Sequence, residues 1–210
     1  MIDLPLTPIA GHRVLFLMAA EPEYGPHLGA RFTPLITGVG PVEGAVAATA
    51  ALAKAAGAVD LVVSLGSAGS ARLEQGSVHQ ARRVAYRDMD ASPLGFAPGI
   101  TPFLALPAEL DLPLRIPGLS QASLSTGANI VSGAAYEGIA QDMVDMETFA
   151  ILRACQRFDV PLVALRGISD GTAPLEGLAD WTDYLHLVDE RLAGAVDRLA
   201  AHLQDGAVLR

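Results

Sequence analysis

One cysteine, one lysine and one tryptophan are all that a chain of 210 residues contains of these three types. A lone Cys155 excludes an internal disulfide and a cysteine-built zinc site, and its apolar helical surroundings read as a buried core thiol. Positive charge is also scarce, with 14 basic against 23 acidic residues and a net charge of −9. That balance argues against a nucleic-acid partner, because binding a phosphate backbone draws on a basic face. Long apolar runs are missing as well. Half of the residues are hydrophobic, at 51%, yet Arg, Asp, Glu or Pro interrupts every apolar stretch well before the roughly 20 residues of a membrane span. The stretch Met1 to Pro8 is acidic and proline-containing where a secretory leader is basic and then apolar, so a cytoplasmic location is expected. His12, His27, His79, His186 and His202 show no metal-ligand spacing, and neither a metal nor a cofactor is expected. No shift in composition divides the chain, which implies one domain over residues 1–210.

What is present is a series of apolar runs of strand length alternating with helical patterns. Val14 to Met18 is the first run, followed by a loop from Ala19 to Pro26 that carries Glu21 and Glu23. A second strand through Leu35 to Thr37 leads into Gly38-Val39-Gly40, and Pro41 opens an alanine-rich helix, Val42 to Ala56. Leu61 to Leu65 reads as a buried strand ending in a small-residue turn, Gly66 to Ser70. Gly76 to Asp90 reads as one or two strands, and Ser92 to Pro117 as loop with short ordered pieces. Ser123 to Val131 is extended, Met143 to Glu147 strand-like and Thr148 to Phe158 helical. Pro161 to Ile168 is a further buried strand before a charged turn, Ser169 to Gly171. An amphipathic helix from Trp181 to Leu203 closes the chain. The pattern predicts an α/β fold of three layers, a mostly parallel or mixed twisted sheet flanked by helices.

Three carboxylates stand just past apolar strands: Glu23, Glu147 and Asp170. In an open α/β sheet such strand ends converge on one crevice. Three acids in a crevice suit the breaking of an N-glycosidic bond, where the sugar gains oxocarbenium character while negative charge builds on the departing base. One acid protonates the base, a second holds the sugar hydroxyls, and a third orients or deprotonates the attacking water. Other readings are weaker. Gly38-x-Gly40-x-x-x-Gly44 superficially matches a dinucleotide turn, but that fingerprint follows the first strand of its fold, and here another strand precedes it. No Gly-x-Ser-x-Gly is present to suggest a serine hydrolase.

The segments Thr37 to Gly40, Gly66 to Gly69, Tyr86 to Asp90, Val144 to Thr148 and Val163 to Asp170 resemble, in order, successive blocks of the 5′-methylthioadenosine/S-adenosylhomocysteine nucleosidases, members of the purine nucleoside phosphorylase superfamily. Met146-Glu147 followed by Arg166-Gly167-Ile168-Ser169-Asp170 is the specific part. The resemblance implies a nucleoside phosphorylase-like fold and hydrolysis of a 5′-substituted adenine nucleoside to adenine and the free sugar. It implies Asp170 as the general acid at purine N7, placed by Arg166 and Ser169, and Glu147 on the ribose hydroxyls with Met146 against the sugar. Glu23, with Glu21 as second choice, would serve the water beside Ser67. The Thr126 to Val131 stretch would face the base, its edge read by the backbone of Val131, and Ile130 stands where the family places an aromatic ring. A homodimer is implied, its 5′ pocket closed by Leu94 of the partner subunit and Pro102 of the partner subunit. A phosphorylase and a catalytically silent nucleoside-binding protein are the alternatives. Against phosphate, Ser64 and Leu65 precede Gly66 where the superfamily's phosphorylases carry an Arg, and Arg87, the nearest other cation, is expected to pair with Asp88 or Asp90.

Overall fold

The computed structural model of the chain describes residues 4–171, 173, 177, 181–206 and 209; of the amino-terminal stretch inspected for a leader, residues 1–3 lie outside it. Nine strands form the sheet: β1 (Leu6–Ile9), β2 (His12–Met18), β3 (Leu35–Ile36), β4 (Leu61–Gly69), β5 (Val78–Tyr86), β6 (Glu109–Asp111), β7 (Ser120–Thr126), β8 (Met143–Asp145) and β9 (Leu162–Asp170). The helices that bear on it are α1 (Pro26–Gly29), α2 (Pro41–Ala55), α3 (Thr148–Arg157) and α4 (Leu185–Gln204). Among the described residues no helix is long and apolar enough to cross a membrane.

The central strands are buried on both faces and sort their side chains by the alternation of the pleat. Leu15, Leu17, Val62, Leu162 and Ala164 face Ala48, Leu52, Ile151 and Cys155 of α2 and α3. Val14, Phe16, Leu61, Val63, Val163 and Leu165 face Val188, Leu192, Val196 and Leu199 of α4. This is the expected arrangement of helices on both sides of a mixed sheet.

Three features differ from the sequence reading. The first is a hairpin missed altogether: β1 pairs antiparallel with β2, and a turn with Ala10 and Gly11 in the left-handed region joins them. The second is length. β4 and β9 do not stop at Leu65 and Ile168 but run in parallel register through the small residues to Gly69 and Asp170, with a bulge between Ala68 and Gly69. Two neighbouring strands supply ladder partners that outweigh the poor strand propensity of the glycines. The third is topology. β2, β3, β4 and β9 run one way, while β5 is antiparallel to β9, and β7 and β8 follow β5. Because β8 also pairs antiparallel with β4 at Gly69 and Val144, the strands β4, β9, β5, β7 and β8 close into a ring rather than an open sheet.

Packing between β9 and α4 depends on Gly167, where a side chain would strike the methyl groups of Val188. Gly167→Ala is expected to lower stability by about 1–3 kcal/mol through overpacking. Thermal unfolding should recover part of that loss in the double variant Gly167→Ala/Val188→Ala.

Candidate active site

A cleft of about 680 Å³ opens where these strands end. Glu23, Ser67, Ile130, Val131, Met146, Glu147 and Asp170 all line it. Glu23 and Asp170 follow or end strands that run one way, β2 and β9, whereas Glu147 follows β8, which runs antiparallel to β4. The three acids therefore meet from two opposed strand directions, not from one row of carboxyl ends.

Glu23 ends a single 3₁₀ turn, Glu21–Glu23, and is buried; Glu21 is exposed, so only one acid of this loop enters the cleft. Ser67 donates both its backbone N–H and its hydroxyl to Glu23 Oε1, each at 2.7 Å. Trp181 in turn donates its indole N–H to Ser67 Oγ at 2.9 Å. Glu23 Oε2 is buried with no hydrogen-bond partner among the described residues. Burial raises the Glu23 carboxyl above its ordinary value, against the bonds from Ser67. Glu147 accepts the Gly40 N–H at 2.8 Å. Gly40 sits at φ 102°, a conformation glycine adopts without strain, and its amide thereby turns onto the carboxylate. The amide that a dinucleotide phosphate would need is occupied by a side chain of the same protein. Burial first, then the nearby Asp145, push Glu147 up to about 7.

Asp170, at the end of β9, receives two hydroxyls. Ser169 Oγ donates to Oδ1 at 2.6 Å and Tyr136 Oη donates to Oδ2 at 3.2 Å. Ser169 thus stands beside Asp170 as the sequence implied, but Arg166 does not. The Arg166 guanidinium lies beneath the cleft, 2% exposed, and binds Asp145 Oδ2 through Nε at 3.1 Å and Nη2 at 2.9 Å. Its remaining donors go to Ser64 O and Oγ, Leu165 O and Thr148 Oγ1. Asp145 lies directly against the guanidinium and takes it as a charge-assisted pair, which corrects the expected role of Arg166 beside Asp170. Thr126 is also turned inward, donating to Asp145 Oδ1 at 2.6 Å, so the wall of the cleft begins at Asn129 instead. Arg87 is not paired with Asp88 or Asp90. Its donors go to the carbonyls of Ser125, Asp145 and Asn129, which braces the loop that carries Ile130 and Val131. Leu94, 73% exposed, and Pro102 stand outside the cleft of their own chain.

Sequence reasoning missed Asp145, Tyr136 and Trp181. Asp145 had a legible signal, an acid in a strand-like run two residues before Glu147. Tyr136 sits in a segment without periodicity and gave none, and Trp181 was read only as the start of the amphipathic closing helix. Between Glu23, Ser64, Glu147 and Arg166 lies a polar chamber of about 10 Å³, close to the volume by this measure of one water. Among the described residues no cluster of His, Cys, Asp and Glu could hold a metal ion.

The family model of the phosphorylase superfamily matches residues 119–201 of the chain. The chain is similar to the 5′-methylthioadenosine/S-adenosylhomocysteine nucleosidase of Staphylococcus aureus (strain MRSA252), with 29% identity over 153 residues. The match covers 64% of this chain and 66% of that protein, just under two thirds of its length. Among solved structures, the nucleosidase of the same name from Colwellia psychrerythraea 34H, in complex with adenine, superposes with a TM-score of 0.77 at 23% identity, covering 99% of this chain and 100% of that one. A futalosine hydrolase mutant of Helicobacter pylori strain 26695 superposes with a TM-score of 0.76 at 19% identity, covering 90% and 98%. At these identities the two structural likenesses establish the fold.

Two outcomes follow from the buried charges. Removing the partner of Arg166, as in Asp145→Ala, leaves an uncompensated guanidinium in the core and should cost about 3–5 kcal/mol in denaturant unfolding. Glu147 holds its proton more tightly folded than unfolded, so its contribution to stability is complete below about pH 4.5 and is lost as pH rises through 7, and Glu23 shifts in the same direction. The ligand-free protein should therefore lose roughly 3 kcal/mol of this contribution from pH 4.5 to above 7, and Glu147→Gln should flatten the profile.

Proposed function

We propose that this chain hydrolyses the N-glycosidic bond of a 5′-substituted adenine nucleoside, such as 5′-methylthioadenosine or S-adenosylhomocysteine, to adenine and the free sugar. The observation that carries this reading is the meeting of Glu23, Glu147 and Asp170 on one cleft, each held by a different donor set. In this reading Asp170 delivers a proton to purine N7, so that the base leaves neutral. Glu147 accepts hydrogen bonds from the ribose hydroxyls, with Met146 against the sugar. Glu23, oriented by Ser67, takes a proton from a water as it attacks C1′, and the polar chamber beside Glu23 and Arg166 is a route by which that water is supplied. Val131 reads the base edge, and Ile130 gives an aliphatic wall where relatives stack a ring.

Water is favoured over phosphate by charge. Arg166, beside the chamber, is committed to Asp145, Arg87 spends both Nη groups on carbonyls, and the acids around them oppose a dianion. A pure binding protein would gain nothing from an acid poised at the leaving base.

The protein works in this reading as one domain over residues 1–210, in the cytoplasm and as a homodimer. Val42 and Val46 share one face of α2 and are 69% and 60% exposed, and Val39 beside them opens onto the cleft. An apolar face of this kind next to a cleft suits a second copy, whose Leu94 and Pro102 would then close the 5′ pocket.

Incubation with 5′-methylthioadenosine, S-adenosylhomocysteine, adenosine, inosine and futalosine, with and without phosphate, tests the reading. Free adenine and free sugar without phosphate are expected; a sugar 1-phosphate formed only with phosphate would make the protein a phosphorylase. Asp170→Asn should lose at least about 100-fold in kcat with nucleoside binding kept, and Glu147→Gln should lower kcat/KM.

A further inference from the structure

Tyr136 belongs to no motif of the sequence and to no role in the reaction described above, yet its hydroxyl ends on the general acid. It lies in a short helical turn, Gly133–Gly138, and its ring is buried among Val131, Val144 and Ile139. Backbone clearance for the contact comes from Gly69 on β4, where a side chain would collide with both Tyr136 Oη and Asp170 Oδ2. The charged groups that face the phenol are Asp170 and, more distantly, Arg87. Burial and the Asp170 carboxylate both hold the phenol in its neutral form, so it keeps its proton across the working range.

The two carboxyl oxygens of Asp170 are not equivalent. Oδ1 takes the short bond from Ser169, at 2.6 Å, and is the more firmly held of the two oxygens. Oδ2 takes the longer bond, 3.2 Å, from a phenol that can either give or accept. We propose that Tyr136 is a positioning residue that makes Oδ2 the proton-delivering oxygen of Asp170 and stabilises the carboxylate left behind. Before transfer, the protonated Oδ2 has the phenol oxygen as its companion. As the Oδ2–H bond breaks and the N7–H bond forms, the electron pair of the glycosidic bond passes to the base. The phenol then turns its own O–H onto Oδ2, with no proton lost from Tyr136. The proton count balances: one leaves Asp170 and one arrives on the base.

This inference rests on Asp170 acting as the acid, and the experiment separates the two. In Tyr136→Phe the ring still fills its apolar site, so the expected result is a fall of about 30-fold in kcat with KM within about twofold. The basic limb of the kcat profile should move up by about one pH unit, because the Asp170 carboxylate has lost a donor. The double variant Asp170→Asn/Tyr136→Phe should be no slower than Asp170→Asn alone. An unchanged kcat and limb in Tyr136→Phe, or a slower enzyme whose limb stays in place, overturns the role of Tyr136 while leaving that of Asp170 intact. Full turnover by Asp170→Asn would overturn both. Should Tyr136→Phe fail to fold, 3-fluorotyrosine placed at position 136 alone keeps the shape and strengthens the donor. The limb is then expected to move down, and an unmoved limb overturns the proposal.

Discussion

One buried guanidinium and the carboxylates around it govern how this molecule is put together. Arg166 projects from the middle of β9 into a space where Asp145, Glu147 and Glu23 also lie, and only Asp145 takes it in direct contact. Desolvating such a charge is costly, and full use of its donors offsets that cost only if Ser64 of β4, Thr148 of α3 and Asp145 of β8 are all in place. The pair therefore joins the two groups of strands that run in opposite directions, at the place where β8 crosses the end of β4. Closure of the five-strand ring and satisfaction of this arginine are one structural event.

The same charge sets the chemistry above it. Burial raises both Glu147 and Glu23, and the nearby Asp145 adds to the rise of Glu147. Asp145 holds the guanidinium and accepts from Thr126 and Thr148 as well. The result is a division of labour by environment among acids a few residues apart in sequence: Asp145 is structural and Glu147 faces the cleft. Asp170 stands apart from this group, served by Ser169 and Tyr136 rather than by any cation.

A second set of contacts links the far helix to the site. Trp181, shortly before α4, bonds to Ser67 and so reaches Glu23 through one hydroxyl. Asp189 of α4 accepts the backbone N–H groups of His27 and Leu28, tying down the start of α1 just after the Glu23 loop. The loop that carries Glu23 is thus anchored from the layer of helices opposite α2 and α3.

Much of this was legible in the chain itself. Apolar runs at Val14, Leu61 and Pro161, the alanine-rich helix behind Pro41 and the amphipathic closing helix follow from local pattern, because burial on a sheet face or a helix stripe imposes its period on the residues. The acids Glu23, Glu147 and Asp170 were visible because each follows an apolar strand. What the sequence could not specify depends on contacts between distant residues. The extension of β4 and β9 through glycines needs each as partner of the other, and the closed ring needs β8 to meet β4 at a single residue. The preference of Arg166 for Asp145 over Asp170 is decided by which acid is buried beside it. Tyr136 and Trp181 acquire their contacts only when Asp170 and Ser67 are brought within hydrogen-bond reach. Local pattern determined the elements and the acids; the tertiary structure decided which acid holds the arginine and which are left to act, because charge and burial are properties of neighbours in space.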